Sequence, residues 1–415
     1  MRIAIIGAGI SGLVCGYKLA EKHDLTLFEA ADWVGGHTHT VDVEVQGHTY
    51  AIDTGFIVFN DWTYPNFIQL LNELGVGSQP TEMSFSVHDP ASGMEYNGNN
   101  LNSLFAQRRN LLPPGFLRMV RDILRFNRNA LHDLAEQRVR PETTLGEYLA
   151  AQGYGQRFID HYIIPMGSAI WSMPLAEMLA FPLQFFLQFF RNHGLLSVTD
   201  RPQWHVIQGG SRSYVGPLSA PFAERIRTSC PVQQVERDAE GVTVHSAAGS
   251  ERFDRVIFAC HSDQALAMLS QPSPQEEAIL GAIGYADNDV VLHTDTRLLP
   301  DRRLAWASWN YRLGGDSRQP AAVTYNMNIL QGISAPQTFC VSLNQTAAID
   351  PARILARYTY AHPQFSLAAQ KAQQRWAELL GPRHSYFCGA YWANGFHEDG
   401  VVSALRVVKA IEDEP

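Results

Sequence analysis

The sequence predicts a doubly wound α/β domain, interrupted by a second domain of α+β class that carries a helical insertion. Three observations predict it. The first 30 residues run strand, glycine turn, helix, strand, the order that opens a parallel sheet with its crossover helix. A middle stretch repeats apolar residues at helical spacing, and four later apolar runs have the length and composition of strands.

Residues 2–6 form a short unbroken apolar run, as a parallel strand buried on both faces requires. A helix from Gly12 to about Lys22 follows the turn, and residues 25–28 give the second strand. Beyond Asp53, segments 66–74, 115–137, 145–152 and 176–192 carry helical periodicity. Strand patterns return at 232–236, 242–246 and 255–259, separated by turn signals at 238–241 and 248–249, and are assigned to the first sheet. Runs 290–293, 304–311, 322–327 and 338–343 read as an antiparallel sheet. A helix over 366–380, a strand at 386–388 and a helix over 400–411 finish the chain. Both ends thus join one discontinuous domain of residues 1–75, 205–275 and 384–415, with 76–204 and 276–383 forming the other.

Composition narrows the function classes. With 46% hydrophobic and 18% charged residues in 415, the chain is a folded globular one with room for two or three domains. Lys and Arg total 32 against 41 Asp and Glu, a net charge of −9, so no global positive field exists to hold nucleic acid phosphates. The five cysteines are scattered and form no C-x-x-C pair, which points to reduced cytosolic thiols and no zinc site. Gly7, Gly9 and Gly12 interrupt the run after Arg2, so it reads as strand and turn, not a signal peptide. Pro182 and neighbouring Gln residues break the most apolar segment below the roughly 18 residues a membrane span needs. The expectation is a soluble, cytoplasmic protein; its oligomeric state is not legible.

Gly7-Ala8-Gly9-Ile10-Ser11-Gly12 fits G-x-G-x-x-G between a strand and a helix, and Glu29 ends the second strand 22 residues after Gly7. Gly7 permits the tight turn, Gly9 lets backbone approach a pyrophosphate, and Gly12 allows close helix-strand packing. The helix N-terminus adds free N–H groups and partial positive charge. Glu29 would accept hydrogen bonds from ribose hydroxyls and repel a 2′-phosphate, so this is a Rossmann-like dinucleotide site that disfavours NADP.

The continuation Glu29-Ala30-Ala31-Asp32-Trp33-Val34-Gly35-Gly36-His37-Thr38 resembles the second glycine motif of the flavin amine oxidase, protoporphyrinogen oxidase and phytoene desaturase superfamily. Asp53-Thr54-Gly55-Phe56, followed by Ile57, looks like that superfamily's segment near the flavin ring, and Gln208-Gly209-Gly210-Ser211 like its return into the FAD domain. Val232 matches the position whose backbone meets the adenine. Gly389-Ala390, then His397-Glu398-Asp399-Gly400-Val401-Val402, resembles the closing motif, whose helix N-terminus would sit under flavin O2 and N1. Within the superfamily the chain looks most like a bacterial branch of predicted NAD/FAD-binding, amine-oxidase-like proteins. The resemblance implies a glutathione-reductase-like FAD-binding domain, an α+β substrate domain built on an antiparallel sheet, and FAD as cofactor.

Chemistry is less sharply marked. Many superfamily members use a lysine that holds water near flavin N5, but Lys18, Lys22, Lys371 and Lys409 all fall on helices here. Phe396 stands about where amine oxidases place an aromatic before the closing helix, with Tyr391 and Trp392 nearby, a set that suits a cation as well as an alkene. The run around Phe185, Phe186 and Phe189 either lines a tunnel for a long apolar substrate or fills the core between helices. Arg118, Arg121, Arg125 and Arg128 repeat at helical spacing opposite Leu117, Val120, Leu124 and Leu131, giving a basic amphipathic helix suited to anionic lipid or to a solvated face. His397 with Glu398 reads as an acid/base pair beside the ring or as a cap on the last helix. Trp171 lines the substrate site or packs. His293 and Asp295 lack a third partner, no spacing suggests a metal site, and no G-x-S-x-G occurs.

The reading favoured by these features is an FAD-dependent oxidoreductase that takes a hydride onto flavin N5 from an apolar, unsaturated fatty-acyl or polyene-like small molecule, as a desaturase or a redox-neutral isomerase. The alternatives are a flavin amine oxidase that releases peroxide and a non-catalytic flavin-binding protein.

Overall fold

The computed structural model describes residues 1–314, 318 and 321–414. Its first sheet is five-stranded and wholly parallel, ordered Ile226–Arg227, Asp24–Phe28, Arg2–Ile6, Arg255–Phe258, Ser385–Phe387. Side chains alternate across a strand, so the central Arg2–Ile6 feeds two cores. Ile3 and Ile5 pack with Leu13, Val14 and Leu19 of helix Ile10–Leu19 and with Val401, Ala404 and Val407 of helix His397–Glu412. Ala4 and Ile6 face the other way, toward Val235, Val242, Val244 and Phe253.

Those last residues correct one expectation. Arg255–Phe258 does join the parallel sheet, but Val232–Arg237 and Val242–Ser246 pair with Gly249–Phe253 in a separate three-stranded antiparallel meander. Val242 and Val244 alternate with half-buried neighbours, the pattern of a sheet with one face covered. The meander therefore lies across the parallel sheet as a lid on its second face.

The other large sheet is seven-stranded, ordered Ile354–Gln364, Gly284–His293, Cys340–Leu343, Val323–Asn326, Trp309–Arg312, Phe85–Asp89, Met94–Asn97. All its pairs are antiparallel except Trp309–Arg312 with Phe85–Asp89. The four expected runs lie within it, with the first extended to Gly284 and the second shortened to Trp309. Its outer strands Phe85–Asp89, Met94–Asn97 and Ile354–Gln364 were not expected, because their composition is polar. Glu95 shows how such a strand is buried: its carboxylate accepts the Asp301 and Arg302 N–H groups at 2.7 and 3.2 Å.

The insertion is helical, as its periodicity requires. Its longest member is Pro114–Ala135; Leu145–Ala151, Ile164–Trp171, Leu175–Met178 and Leu183–Asn192 follow. The expected helix over 176–192 is broken because Pro182 takes the N-cap position of Leu183–Asn192. In Pro114–Ala135 the inward face is Phe116, Met119, Phe126 and Ala130. Leu117, Leu124 and Leu131 are exposed, so they share the outer face with arginines instead of opposing them.

Candidate active-site cleft

A cleft of about 920 Å³ runs between the two sheets, and its walls come from distant parts of the chain. The glycine turn forms one end. A Cβ on Gly12 would lie 1.9 Å from Gly7 O, and one on Gly7, at φ +106°, 2.8 Å from Ala259 O, so both are demanded by packing. Gly9 differs: its φ of −74° suits any residue, and a Cβ there would have no atom within 4 Å. None of the described residues requires glycine at that position, and the space it leaves opens on the cleft.

The second glycine pair lies against the first. A Cβ on Gly36 would come within 3.0 Å of Gly9 Cα. Glu29 is held by the Ala8 N–H at 2.7 Å and the Ala31 N–H at 2.8 Å, which leaves carboxylate lone pairs facing the cleft beside Ala30 and Val232. His37 is half-buried and neutral, pushed down to about 3 by desolvation first and by the neighbouring His362 and His261. A backbone hydrogen bond to Ala361 takes one ring nitrogen, while Nε2 has no partner among the described residues. Trp171 Nε1, Trp309 Nε1 and Tyr391 Oη are buried and unpartnered in the same wall. Four orphaned polar atoms around one cavity call for a ligand with polar groups of its own. Together with the open Gly9 and the Glu29 carboxylate, they fit a dinucleotide carrying a flavin.

The expected cofactor residues divide. Gly7, Gly9, Ile10, Ser11, Glu29 and Ala30 line the cleft, as do Gly35, Gly36, His37, Gly55, Phe56, Ile57, Val232 and Gly389. Ala8, Gly12 and Thr38 stand behind it: Ala8 is in the core, Gly12 meets the Gly7 carbonyl, and Thr38 Oγ1 bonds His397 Nε2 at 3.0 Å. Asp399, Gly400, Val401 and Val402 also do not line it. Asp399 turns back to accept the Asn394 and Phe396 N–H groups, and burial pushes its carboxyl up to about 7. Gly400 sits against Ile10 and Ser11, whose Oγ donates to the Gly400 carbonyl at 2.9 Å. Val401 enters the core between the two helices, with Val402 beside it half-buried. Gly389 to His397, the loop before the helix, is what reaches the cleft.

The expected acid/base pair is not formed. His397 lines the cleft, but its ring lies flat on Phe56, and its Nε2 is held by Thr38 Oγ1 and, at 2.8 Å, by Tyr214 Oη. Burial holds it neutral, pushed down to about 3. Glu398 points elsewhere, accepting the Asn66 N–H, the Asn66 Nδ2 and the Phe67 N–H at the start of helix Pro65–Glu73. It caps helix Pro65–Glu73, not the last helix as the sequence had offered.

Away from the glycine turns the cleft is walled by Trp171, Trp309, Tyr325, Leu330, Phe365 and Phe396. Phe185, Phe186 and Phe189 are not in that wall; they stand one layer back, with ring centroids 4.9 to 6.0 Å from Trp171. The core-filling alternative describes them. Tyr391 lines the cleft, whereas Trp392 donates its Nε1–H to the Phe387 carbonyl and packs behind it. The strand Ile354–Gln364 contributes Tyr358, Tyr360 and His362, none of which was anticipated, although their period-two spacing is a strand signal. Among the described residues no lysine or arginine lines the cleft, and its carboxylates are Glu29 and Asp287, the latter beside His261. Outside it, His88, Glu95 and Asp301 bring ligand atoms within 4.8 Å, but the Glu95 carboxylate is engaged with backbone N–H groups.

Residues 10–320 match the family model described as flavin containing amine oxidoreductase. Solved structures are similar over essentially the whole chain. Cyclohexylamine oxidase from Brevibacterium oxydans IH-35A superposes with a TM-score of 0.70 at 16% identity, covering 99% of both chains. Wild-type putrescine oxidase bound to putrescine gives 0.70 at 15% identity, covering 100% of both. A CLA-producing fatty acid isomerase from P. acnes gives 0.69 at 15% identity, covering 98% of both.

Proposed function

Because the chain belongs to the flavin-containing amine oxidoreductase family, and is thereby an FAD-dependent oxidoreductase, we propose that its substrate is a neutral, apolar, unsaturated acyl or polyene-like molecule. One observation carries the reading: the wall beyond the glycine turns is aromatic and aliphatic, with no ionisable cation or carboxylate among Trp171, Trp309, Tyr325, Leu330, Phe365 and Phe396. Aromatic faces return only about 1–2 kcal/mol to a cation, less than the several kcal/mol its burial costs with no carboxylate in that wall, whereas an apolar chain gains about 25 cal/mol per Å² removed from water.

When bound, FAD supplies the hydride acceptor. The chain's own residues orient the substrate and exclude water, and the neutral imidazoles of His37 and His362 line the same cleft without adding charge. A desaturase and a redox-neutral double-bond isomerase use the same cleft, differing in whether the hydride returns to the substrate. The likeness to a fatty acid isomerase is compatible with the second.

Anaerobic addition of substrate to the yellow protein tests the reading. Unsaturated acyl lipids are expected to bleach the flavin absorbance, or to be isomerised without net bleaching; primary amines, secondary amines and polyamines are not. Bleaching by amines alone would establish the amine oxidase alternative.

A further inference from the structure

We propose that the outer face of helix Pro114–Ala135 is a docking surface for an anionic lipid membrane. At ~100° per residue, Leu117, Arg121, Leu124, Arg128 and Leu131 fall within an arc of about 80° and extend over about 21 Å of helix. The leucines are 44%, 53% and 41% exposed, and Leu112, just before the helix, is 83% exposed. Three leucines at i, i+7 and i+14 line one side of the helix about 10.5 Å apart, with Arg121 and Arg128 between them, so apolar and basic side chains alternate along one exposed face.

Charge identifies the occupant. The whole chain carries −9, yet residues 101–135 hold six arginines against two aspartates. Neither aspartate neutralises this face. Asp122 is buried and pairs with Arg118 and Arg125 at the helix flank, and Asp133 accepts the Tyr148 hydroxyl. Arg121 and Arg128, between the leucines, have no ion pair among the described residues. A second copy of the chain is a poor fit, since a self-paired face would bring arginine against arginine without a carboxylate between them. A bilayer with anionic headgroups matches both features: leucines enter the headgroup and acyl boundary while guanidinium groups stay among the phosphates. No helix among the described residues is long and apolar enough to cross a membrane, so the contact is a surface one. The inference is independent of the substrate reading.

Sedimentation of the flavin-loaded protein with phosphatidylcholine vesicles, with and without phosphatidylglycerol, tests it. Binding is expected only with phosphatidylglycerol and is expected to fall with added salt. R121E/R128E should reduce partitioning at least about tenfold. L117S/L124S/L131S, which leaves net charge unchanged, should do so as well. Both variants should keep the flavin spectrum of the parent and unfold within a few degrees of it, because none of the substituted side chains belongs to the buried core. Equal partitioning of parent and variants, or no binding to the anionic vesicles, overturns the proposal. So does a dimer in light scattering that the triple serine variant dissolves, which would assign the face to a second copy.

Discussion

Glu398 Oε2 accepts the Phe67 N–H at 2.8 Å, tying the start of the last helix to the start of helix Pro65–Glu73. Three donors converge on this one carboxylate, two of them backbone N–H groups that helix formation leaves unpaired. Glu398→Gln is therefore expected to lower unfolding free energy by about 1 kcal/mol, and Glu398→Ala by about 2–3 kcal/mol. The rate of flavin reduction and its pH profile should stay as in the parent. A profile that loses a limb in Glu398→Gln would return this residue to acid/base chemistry.

The glycine turn allows cofactor binding to be separated from folding. Gly12→Ala forces a Cβ to within 1.9 Å of the Gly7 carbonyl, and the turn must shift or fail. Gly9→Ala meets no protein atom within 4 Å and needs no unusual φ, so the chain alone tolerates it. The expected outcome is a Gly9→Ala protein with near-parent circular dichroism but markedly reduced flavin content, against a Gly12→Ala protein that is poorly folded. Full flavin retention in Gly9→Ala would show that no pyrophosphate passes that backbone.

These two cases also show what the sequence reveals. The glycine motif was legible because steric rules act within a few residues, and each glycine's role follows from its offset in the turn. Glu398 was misread because its partners lie 331 and 332 positions away, a distance no local pattern reports. The phenylalanine run shows the same limit. Its helical spacing located a buried face correctly, but only the fold decides that Trp171 stands between those rings and the cleft. On helix Pro114–Ala135 both faces carry apolar residues, so periodicity alone could not choose the buried one. The strand Ile354–Gln364 was passed over because Arg357, Thr359, His362 and Pro363 interrupt its apolar character, although its tyrosines alternate at strand period; Tyr360 serves both the core and the cleft.

Stability should fall as the solution is acidified below neutrality. His37 and His397 are pushed down to about 3, and His193, His293 and His362 to about 4, chiefly by burial. Between those values and 6.5 the unfolded chain binds protons that the folded chain excludes, so stability rises with pH across the window. Two carboxyls oppose this. Asp53 is pushed up to about 6 and Asp399 to about 7, so each holds a proton when folded that it releases on unfolding above its ordinary value near 3.8. The five histidines outweigh the two carboxyls, giving a net uptake of about three protons on unfolding near pH 5. Denaturant titrations from pH 7 to pH 4 should show this decline, and His397→Gln should reduce the slope by about one proton. A flat or inverted profile would mean that the histidines are charged in the fold.

Trp171 separates the cleft from the aromatic layer behind it, with its ring centroid 4.5 Å from that of Phe181 and 4.9 Å from that of Phe189. Trp171→Ala removes the wall and leaves a cavity in a packed cluster, at an expected cost of about 3–5 kcal/mol in stability. If the substrate is apolar, the opened cleft merges with the layer of Phe185, Phe186 and Phe189, and KM for the shorter acyl chains should rise while bulkier ones gain access. Trp171→Phe keeps an aromatic ring against Phe181 and Phe189 while removing the unpartnered Nε1–H and part of the indole's volume, so it should cost less stability than alanine, about 1–2 kcal/mol, and keep most of the chain-length preference. The ratio of kcat/KM between short and long substrates in the two variants checks this. If Trp171→Ala leaves that ratio unchanged, the substrate does not reach the Trp171 wall, and the apolar end of the cleft is packing alone.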